Sequence, residues 1–553
     1  MTEKKPLRVG VLIDSFEQPQ WVLKIIADIQ ASTVADVVLL IKNGTAHRKE
    51  TLWRRLLAHR KHLLYIAYRK LDHFLFPTNP DAFALGDMRP LVSACPVLEV
   101  APRQTKYSDY FPEEELVSIK TYDLDVALRF GFRILRGAVL ACARYGVWSY
   151  HHGDNQVNRG GPAGFWEVMK EIPVTGSVLQ VLTEDLDAGR ALYRSFAKTD
   201  RRSARRNRNN FYWKSSAFVL RALNDVYERG EPALENNSYE ARHAFYSHPL
   251  YKKPTNAQML CLFVGLTVRY LRDVIANRVS FHQWILAYDL RPEAQSAHRS
   301  LHRFTLMMPP KDRFWADPFP VKRDDTYYIF LEEYPYRRHK GHIAVIEMDE
   351  KGRWEKPRTV LEQAYHLSYP FIFTWQDDYY MIPETMANQT IELYRCTSFP
   401  FTWDLEATLM HGVRAVDTTL HEQDGLWWMF TTMAVEGSLN YDELYLFYAE
   451  TPLGPWSPHP QNPVKSDVRS ARSAGGLFAQ EGVLYRPAQD CSVRYGYAIS
   501  LNHLRRIDRQ EYGETVVSKI LPSWRPDLRG THTLNYTDGL TVVDALLHRR
   551  RFW

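Results

Sequence analysis

From Leu7 to about Asn224 short apolar runs alternate with amphipathic stretches. Leu7–Ile13, Val37–Ile41, Val97–Val100 and Asp125–Phe130 read as strands, and Trp21–Gln30 and Thr51–Phe74 read as helices. This alternation predicts a mostly parallel, Rossmann-like sheet with crossover helices. The first strand ends in IDSFEQ and carries no GxGxxG, so the fingerprint of dinucleotide binding is missing. A ligand of such a sheet is expected beyond the carboxyl ends of its strands, and a further strand, Gly146–Tyr150, delivers His151 to such a place.

Near Leu301 the texture changes. Helical periodicity fades and short aromatic or β-branched runs follow polar turn pairs: DDTYYIF at Asp324, QDDYYMI at Gln376, DGLWWMF at Asp424, EGVLYRP at Glu481 and DGLTVVD at Asp538. Their spacing of about fifty residues is a blade-sized period, and five copies predict an all-β, five-bladed propeller. Asp317, Tyr369, Asp417, Ala474 and Thr531 share one offset ahead of these turns and are expected to face a common axis. Between the halves, a helix is expected at Ala257–Ala276, and Phe281–Tyr288 reads as a strand able to close the propeller on its last blade. The expected domains are 1–230, a mixed segment 231–300, and 301–553.

Composition narrows the setting. With 553 residues, 45% apolar and 24% charged, the chain has a multidomain, globular character. Five scattered cysteines without a CxxC suggest neither a disulfide framework nor a zinc site, so no metal and a reducing, cytoplasmic setting are expected. MTEKKPLRVGVLID leads straight into a strand, and no export signal or transmembrane segment is expected. The apolar run Met259–Val268 is too short to span a bilayer and reads as a buried or interfacial helix, which leaves peripheral membrane contact open. A net charge of +6 is concentrated in His47–Lys70 and in Arg201, Arg202, Arg205, Arg206 and Arg208. A solvated basic face is the plainer account of each patch, and no nucleic-acid partner is expected.

Two regions carry chemistry. In the first, GVWSYHHGDNQVNRG from Gly146 and VTGSVLQVLTEDLDAGRALY from Val174 resemble the N10-formyltetrahydrofolate-dependent formyltransferases. The resemblance implies His151 and Asp187 as the catalytic pair, with N10-formyltetrahydrofolate as formyl donor and the amine of a sugar, sugar nucleotide or glycan as acceptor. An imidazole favoured in its charged form by a carboxylate suits a developing oxyanion. Where the family has an asparagine this chain has Ser149, a shorter donor, which His152 or Asn155 could supplement. By the same analogy Phe130, Gly131, Phe132, Ile134 and Leu135 flank the folate, while Asn155 and Arg159 belong to the substrate side.

In the second region FWADPFPV, HLSYPFIF, IPET and AVDTTLHEQDGLWWMF resemble the propellers of family 43 glycoside hydrolases and the N-terminal domain of plant glucosamine inositolphosphorylceramide transferases. The resemblance implies Asp317 as general base and Asp417 as the carboxylate that tunes it. The fourth blade reads RSAGG, so the family's acid is absent there, and Glu384 is the nearest alternative. Asp317, Tyr369, Glu384 and Asp417 are therefore expected to contact a sugar, with Trp315 and His421 as stacking surfaces. The leading expectation is a sugar-amine formyltransferase with a carbohydrate-binding propeller. The alternative is a propeller-based glycosidase, glycosyl-transfer accessory or glycan-binding protein with a degenerate first domain.

Overall fold

A seven-stranded sheet organises the amino-terminal region. The computed structural model describes residues 4–45, 59–184, 189–236, 249–291 and 300–551. These fall into two compact units, Met1–Thr267 with Val435–Ser438, and Val268–Ala434 with Leu439–Trp553. The chain is multidomain and mostly β, with a parallel sheet confined to its amino-terminal part.

In the first unit the elements relevant to the site are β1 (Leu7–Ile13), α1 (Gln20–Gln30), β2 (Ala35–Asn43), α2 (Leu63–Leu75), β3 (Val97–Val100), α3 (Glu113–Lys120), β4 (Val126–Arg129), β5 (Val147–His151), α4 (Phe165–Met169), β6 (Val174–Val181), β7 (Arg190–Lys198), α5 (Ala204–Ser215) and α6 (Phe218–Arg229), and the helix α7 (Asn256–Val279) begins in it and continues past Thr267 into the second. The sheet order is β7-β6-β5-β4-β1-β2-β3. The five strands from β3 to β5 are parallel, while β6 and β7 return antiparallel at one edge. Alternation along β1 covers both faces. Val9, Val11 and Ile13 pack on Trp21, Ile25, Phe218 and Leu223, whereas Leu12 faces Leu116, Ile119 and Val139. Each fully buried aliphatic side chain contributes about 1.5–3 kcal/mol.

Strand order reverses between β1 and β4, which opens the crevice where open parallel sheets take ligands. Gly131 follows β4 at this point. A Cβ there would lie 2.4 Å from the backbone nitrogen of Asp14, so only glycine lets the two strand ends approach. The expected helix Thr51–Phe74 is described from His59 onward and includes α2; residues 46–58 lie outside the described part.

The described residues of the second unit form five antiparallel sheets. Sheet I is Arg313–Arg323, Thr326–Pro335, His342–Asp349 and Arg358–Leu361; sheet II is Ser368–Trp375, Asp378–Glu384, Thr390–Ser398 and Thr402–His411. Sheet III is built on Ala415–Gln423, Leu426–Met433 and Glu443–Ala449, and sheet IV is Phe478–Gln480, Val483–Asp490, Ala498–Ile507 and Tyr512–Ile520. Sheet V joins distant stretches, because Ser280–Leu290 pairs along its whole length with Leu540–Arg550. The expected strand Phe281–Tyr288 thus pairs with the last sheet.

The sequence repeat has a backbone counterpart. Register breaks fall between Ala316 and Phe319, Ser368 and Phe371, and Val416 and Thr419. At each break a non-glycine residue takes a left-handed conformation: Asp317 at φ 52°, Tyr369 at 44° and Asp417 at 51°. Such conformations cost on the order of 1–3 kcal/mol each and gather where bulges aim side chains at sites. The repeated turn pairs are left-handed too, at Gln376-Asp377, Asp424-Gly425 and Glu481-Gly482, as type I′ hairpins require.

Candidate functional site

The first candidate site lies at the carboxyl ends of β4 and β5, neighbouring parallel strands paired in register at Arg129 and Ser149. Ser149 is buried, and its Oγ accepts from Arg129 Nη1 at 3.1 Å. The same guanidinium donates to the carbonyls of Phe132 and Arg133 at 2.8–3.1 Å. Burial pulls the Arg129 pKa down, opposed by Asp14 and Asp109. A cation therefore stands beside Ser149. Arg129 sits in LRFGFRIL, a segment whose sequence pattern speaks only of apolar core.

His151 is half-buried, and its Nε2 lies 3.3 Å from the Asn158 carbonyl oxygen. Asp187, its expected partner, lies outside the described residues. His152 does not supplement Ser149. It is stacked on Tyr212 at 3.7 Å and on Tyr150 at 5.2 Å, with Trp21 edge-on, and burial holds its pKa well below the ordinary imidazole value. Neither ring nitrogen has a hydrogen-bond partner. Asn155 Oδ1 accepts from Arg194 Nη2 at 3.1 Å, and the Arg159 carbonyl accepts from Tyr251 N. The expected folate wall is only partly a wall. Phe130 and Ile134 are half-buried, but Phe132 and Leu135 pack into the core with Leu12 and Val139, because apolar residues just past a strand end turn under the sheet. Glu167, buried on α4, went unread in the sequence; burial pushes its carboxyl up to about 7, against hydrogen bonding from its own backbone and from Asn158.

The second candidate site draws on all five sheets of the second unit. Asp417 Oδ2 accepts from Arg472 Nε at 2.5 Å and from Gln489 Nε2 at 2.7 Å. Arg472 Nη2 reaches Asp417 Oδ1 at 3.1 Å and Glu384 Oε2 at 3.3 Å. Asp317 accepts from Thr533 Oγ1 at 2.8 Å and from Tyr369 N at 3.3 Å. Its Oδ1 is 3.5 Å from Nε2 of His532, whose Nδ1 is 2.5 Å from Asp544 Oδ2. Asp544 also accepts from the backbone N–H groups of Asp317, His532 and Thr533, so it fixes the imidazole against Asp317. Trp284 stacks on that imidazole at 4.1 Å.

Asp317, His532 and Asp544 offer ligand atoms within 4.8 Å of one another, a geometry able to hold a metal ion. Three backbone N–H groups directed at Asp544 already organise the trio without one. Glu332 completes the cluster, 3.5 Å from His366 Nε2. Asp317 and Asp417 are 4% and 2% exposed, and Arg472 is 5% exposed. The Glu384 side chain is 9% exposed, and His366, at 36%, is the most open side chain of the group.

Five carboxyl groups here face one guanidinium, Arg472, and two imidazoles, His532 and His366. Burial pushes Glu384 up to about 8, partly opposed by Arg472 and reinforced by Asp417. Burial likewise pushes Asp317 up to about 6, opposed by His532 and reinforced by Asp544 and Asp417. Glu332 is raised well above the carboxylate range, again chiefly by burial. Burial works against His532, yet Asp544 and Asp317 raise its pKa. The same burial thus leaves Asp317 and Glu384 with raised but unequal pKa values.

Two expected contacts change character. Tyr369 is wholly buried; its ring meets Phe319 edge-on, and its hydroxyl, 2.8 Å from Thr419 Oγ1, accepts from Gly475 N. Trp315 is 2% exposed and donates to Glu333. Both rings serve packing between strands, not a sugar face. Where RSAGG lacks the family acid, the chain instead directs Arg472 inward.

Over residues 306–527 the chain matches the family model described as glucosamine inositolphosphorylceramide transferase 1, N-terminal. The protein named glucosamine inositolphosphorylceramide transferase 1 in Oryza sativa subsp. japonica is 39% identical over 209 residues, 37% of this chain and 28% of the relative. The chain thus spans little more than a quarter of that relative's length. Among solved structures, the exo-β-1,3-galactanase 1,3Gal43A of Clostridium thermocellum is 12% identical with a TM-score of 0.32, covering 41% of this chain and 52% of its own. Glycinamide ribonucleotide transformylase 1 of Symbiobacterium toebii is 14% identical with a TM-score of 0.28, covering 41% of this chain and 90% of its own. Likeness at that level adds nothing to the geometry above.

Proposed function

We propose that the second unit is a five-bladed propeller that binds a sugar at its axis and acts on the glycosidic bond. The observation that carries this reading is the buried surplus of carboxyl groups around Asp317 and Glu384. Uncompensated buried acids destabilise a fold, and groups held at such a cost mark working sites. Glu384 gives its proton to the leaving oxygen, and Asp317 takes the proton of the incoming hydroxyl or water. Asp417 and Arg472 fix the geometry of Glu384, and the Asp544–His532 pair fixes that of Asp317. The name of the matching relative supports an amino sugar of a glycan or glycolipid as substrate class.

The test is turnover of glycosides and glycolipids bearing glucosamine by the full chain. Asp317→Asn and Glu384→Gln should each lower the rate by about 10²–10⁴-fold while the folded protein persists. Turnover that neither substitution changes would overturn the reading.

A second reading belongs to the first unit and rests on one placement: His151 and Phe130–Phe132 emerge from adjacent parallel strands beside the point where strand order reverses. On this reading N10-formyltetrahydrofolate binds there, and its formyl group passes to the amine of the same class of sugar, with Arg129 supplying charge beside Ser149. Release of tetrahydrofolate in the presence of an amino-sugar acceptor, lost in His151→Ala, would support it; no release with any amino sugar would remove it.

A further inference from the structure

The helix α7 inverts the usual rule for a surface helix. Its inner side, Met259 with Leu262 and Leu266, packs against the cluster that contains Tyr65, Phe165 and Trp166. Its outer side is apolar as well. Leu260, Val264, Val268, Leu271, Ile275 and Val279 recur at spacings of three and four, and each is 52–62% exposed. Single exposed apolar residues need no explanation, but a stripe six residues long does.

A neighbouring helix extends the feature. The amino end of α2 is tied to that of α7, since Leu64 N donates to Asn256 Oδ1 at 3.1 Å and Asn256 Nδ2 donates to the Arg60 carbonyl at 2.8 Å. Along α2, Leu71, Phe74 and Leu75 are exposed, Phe74 by 81%. The charge around this surface is predominantly positive, with Asp273 beside Arg272 as its acidic exception. Residues 59–75 and 249–279 hold nine Lys and Arg against two Asp, and of those two Asp72 is buried and occupied in accepting from Arg205 N.

We propose that the outer face of the single helix α7 lies flat on an anionic lipid bilayer, apolar side chains at the headgroup–acyl boundary and Lys and Arg at the lipid phosphates. The length and polarity of the helix agree with surface attachment: no described helix is long and apolar enough to cross a membrane. Charge decides between a bilayer and a second copy of the chain. A symmetric pair would set one strongly basic surface against another, whereas an anionic lipid surface complements it. The inference is independent of the sugar site.

The test is co-sedimentation of the full chain with vesicles of phosphatidylcholine alone or mixed with phosphatidylserine, at low and high salt. Binding to the anionic vesicles should be about tenfold tighter or more, and should weaken as salt screens it. Val264→Glu with Leu271→Glu should abolish it, and Arg272→Glu with Arg278→Glu should weaken it. Leu405→Glu, on a residue 54% exposed in sheet II, should leave it unchanged. Equal melting temperatures establish that the variants fold. No binding to anionic vesicles, binding that the α7 substitutions do not alter, or a dimer in light scattering that the same substitutions dissolve would overturn the proposal.

Discussion

Glu384 shows what a buried carboxyl costs the fold. Its pKa is raised from 4.5 to about 8, so the stability its proton confers is complete below the ordinary value and lost as pH rises through about 8. Glu384→Gln should therefore leave the protein nearly unchanged at pH 5 and stabilise it by about 1–3 kcal/mol at pH 8, as read by urea unfolding. A difference independent of pH would deny that the carboxyl is held protonated. A contrast is Glu514, whose carboxyl stays near 2 despite burial because Arg486 and Lys465 pair with it at 2.7 Å and 2.5 Å. Asp317 and Asp417 were legible in the sequence because a repeat gives equivalent residues equal offsets. His532 and Asp544 were not, since their partner Asp317 is more than two hundred residues away and no spacing rule links them. Arg472 did leave a trace, as a base two residues before the alanine where the family pattern asked for an acid.

Elements were read as far as periodicity and turn chemistry reach. Leu7–Ile13 and Val97–Val100 match their strands residue for residue, and the polar turn pairs announced their hairpins. The bulges at Asp317, Tyr369 and Asp417 were invisible, because aspartate's mild tolerance of the left-handed region does not mark one position among many and tyrosine has none. The helix expected at Ala257–Ala276 runs from Asn256 to Val279, yet nothing in its pattern says that its apolar side faces outward. Two glycines test this level in opposite directions. Gly131→Ala would press a methyl against the Asp14 backbone and should cost about 1–3 kcal/mol. Gly265→Ala, on α7 with open space around it, should stabilise by about 0.5–1 kcal/mol. Urea midpoints of the two variants check both signs.

At the scale of the whole molecule, composition fixed little beyond a globular, multidomain character, while the change of texture near Leu301 separated two kinds of architecture. The pairing of Ser280–Leu290 with Leu540–Arg550 ties the two ends of the second unit together, so its five sheets depend on a contact that spans its entire sequence. That dependence explains why residues from every sheet can meet in one carboxyl cluster. The proposed chemistry rests on this cluster and on the unequal pKa values of Asp317 and Glu384. The most direct measurement is the pH dependence of the rate at which the full chain cleaves or transfers a glucosamine-bearing glycoside. The rate should rise through about 6 as Asp317 ionises and fall through about 8 as Glu384 loses its proton, giving a bell centred near neutrality. A flat profile, or no turnover at any pH, would contradict it.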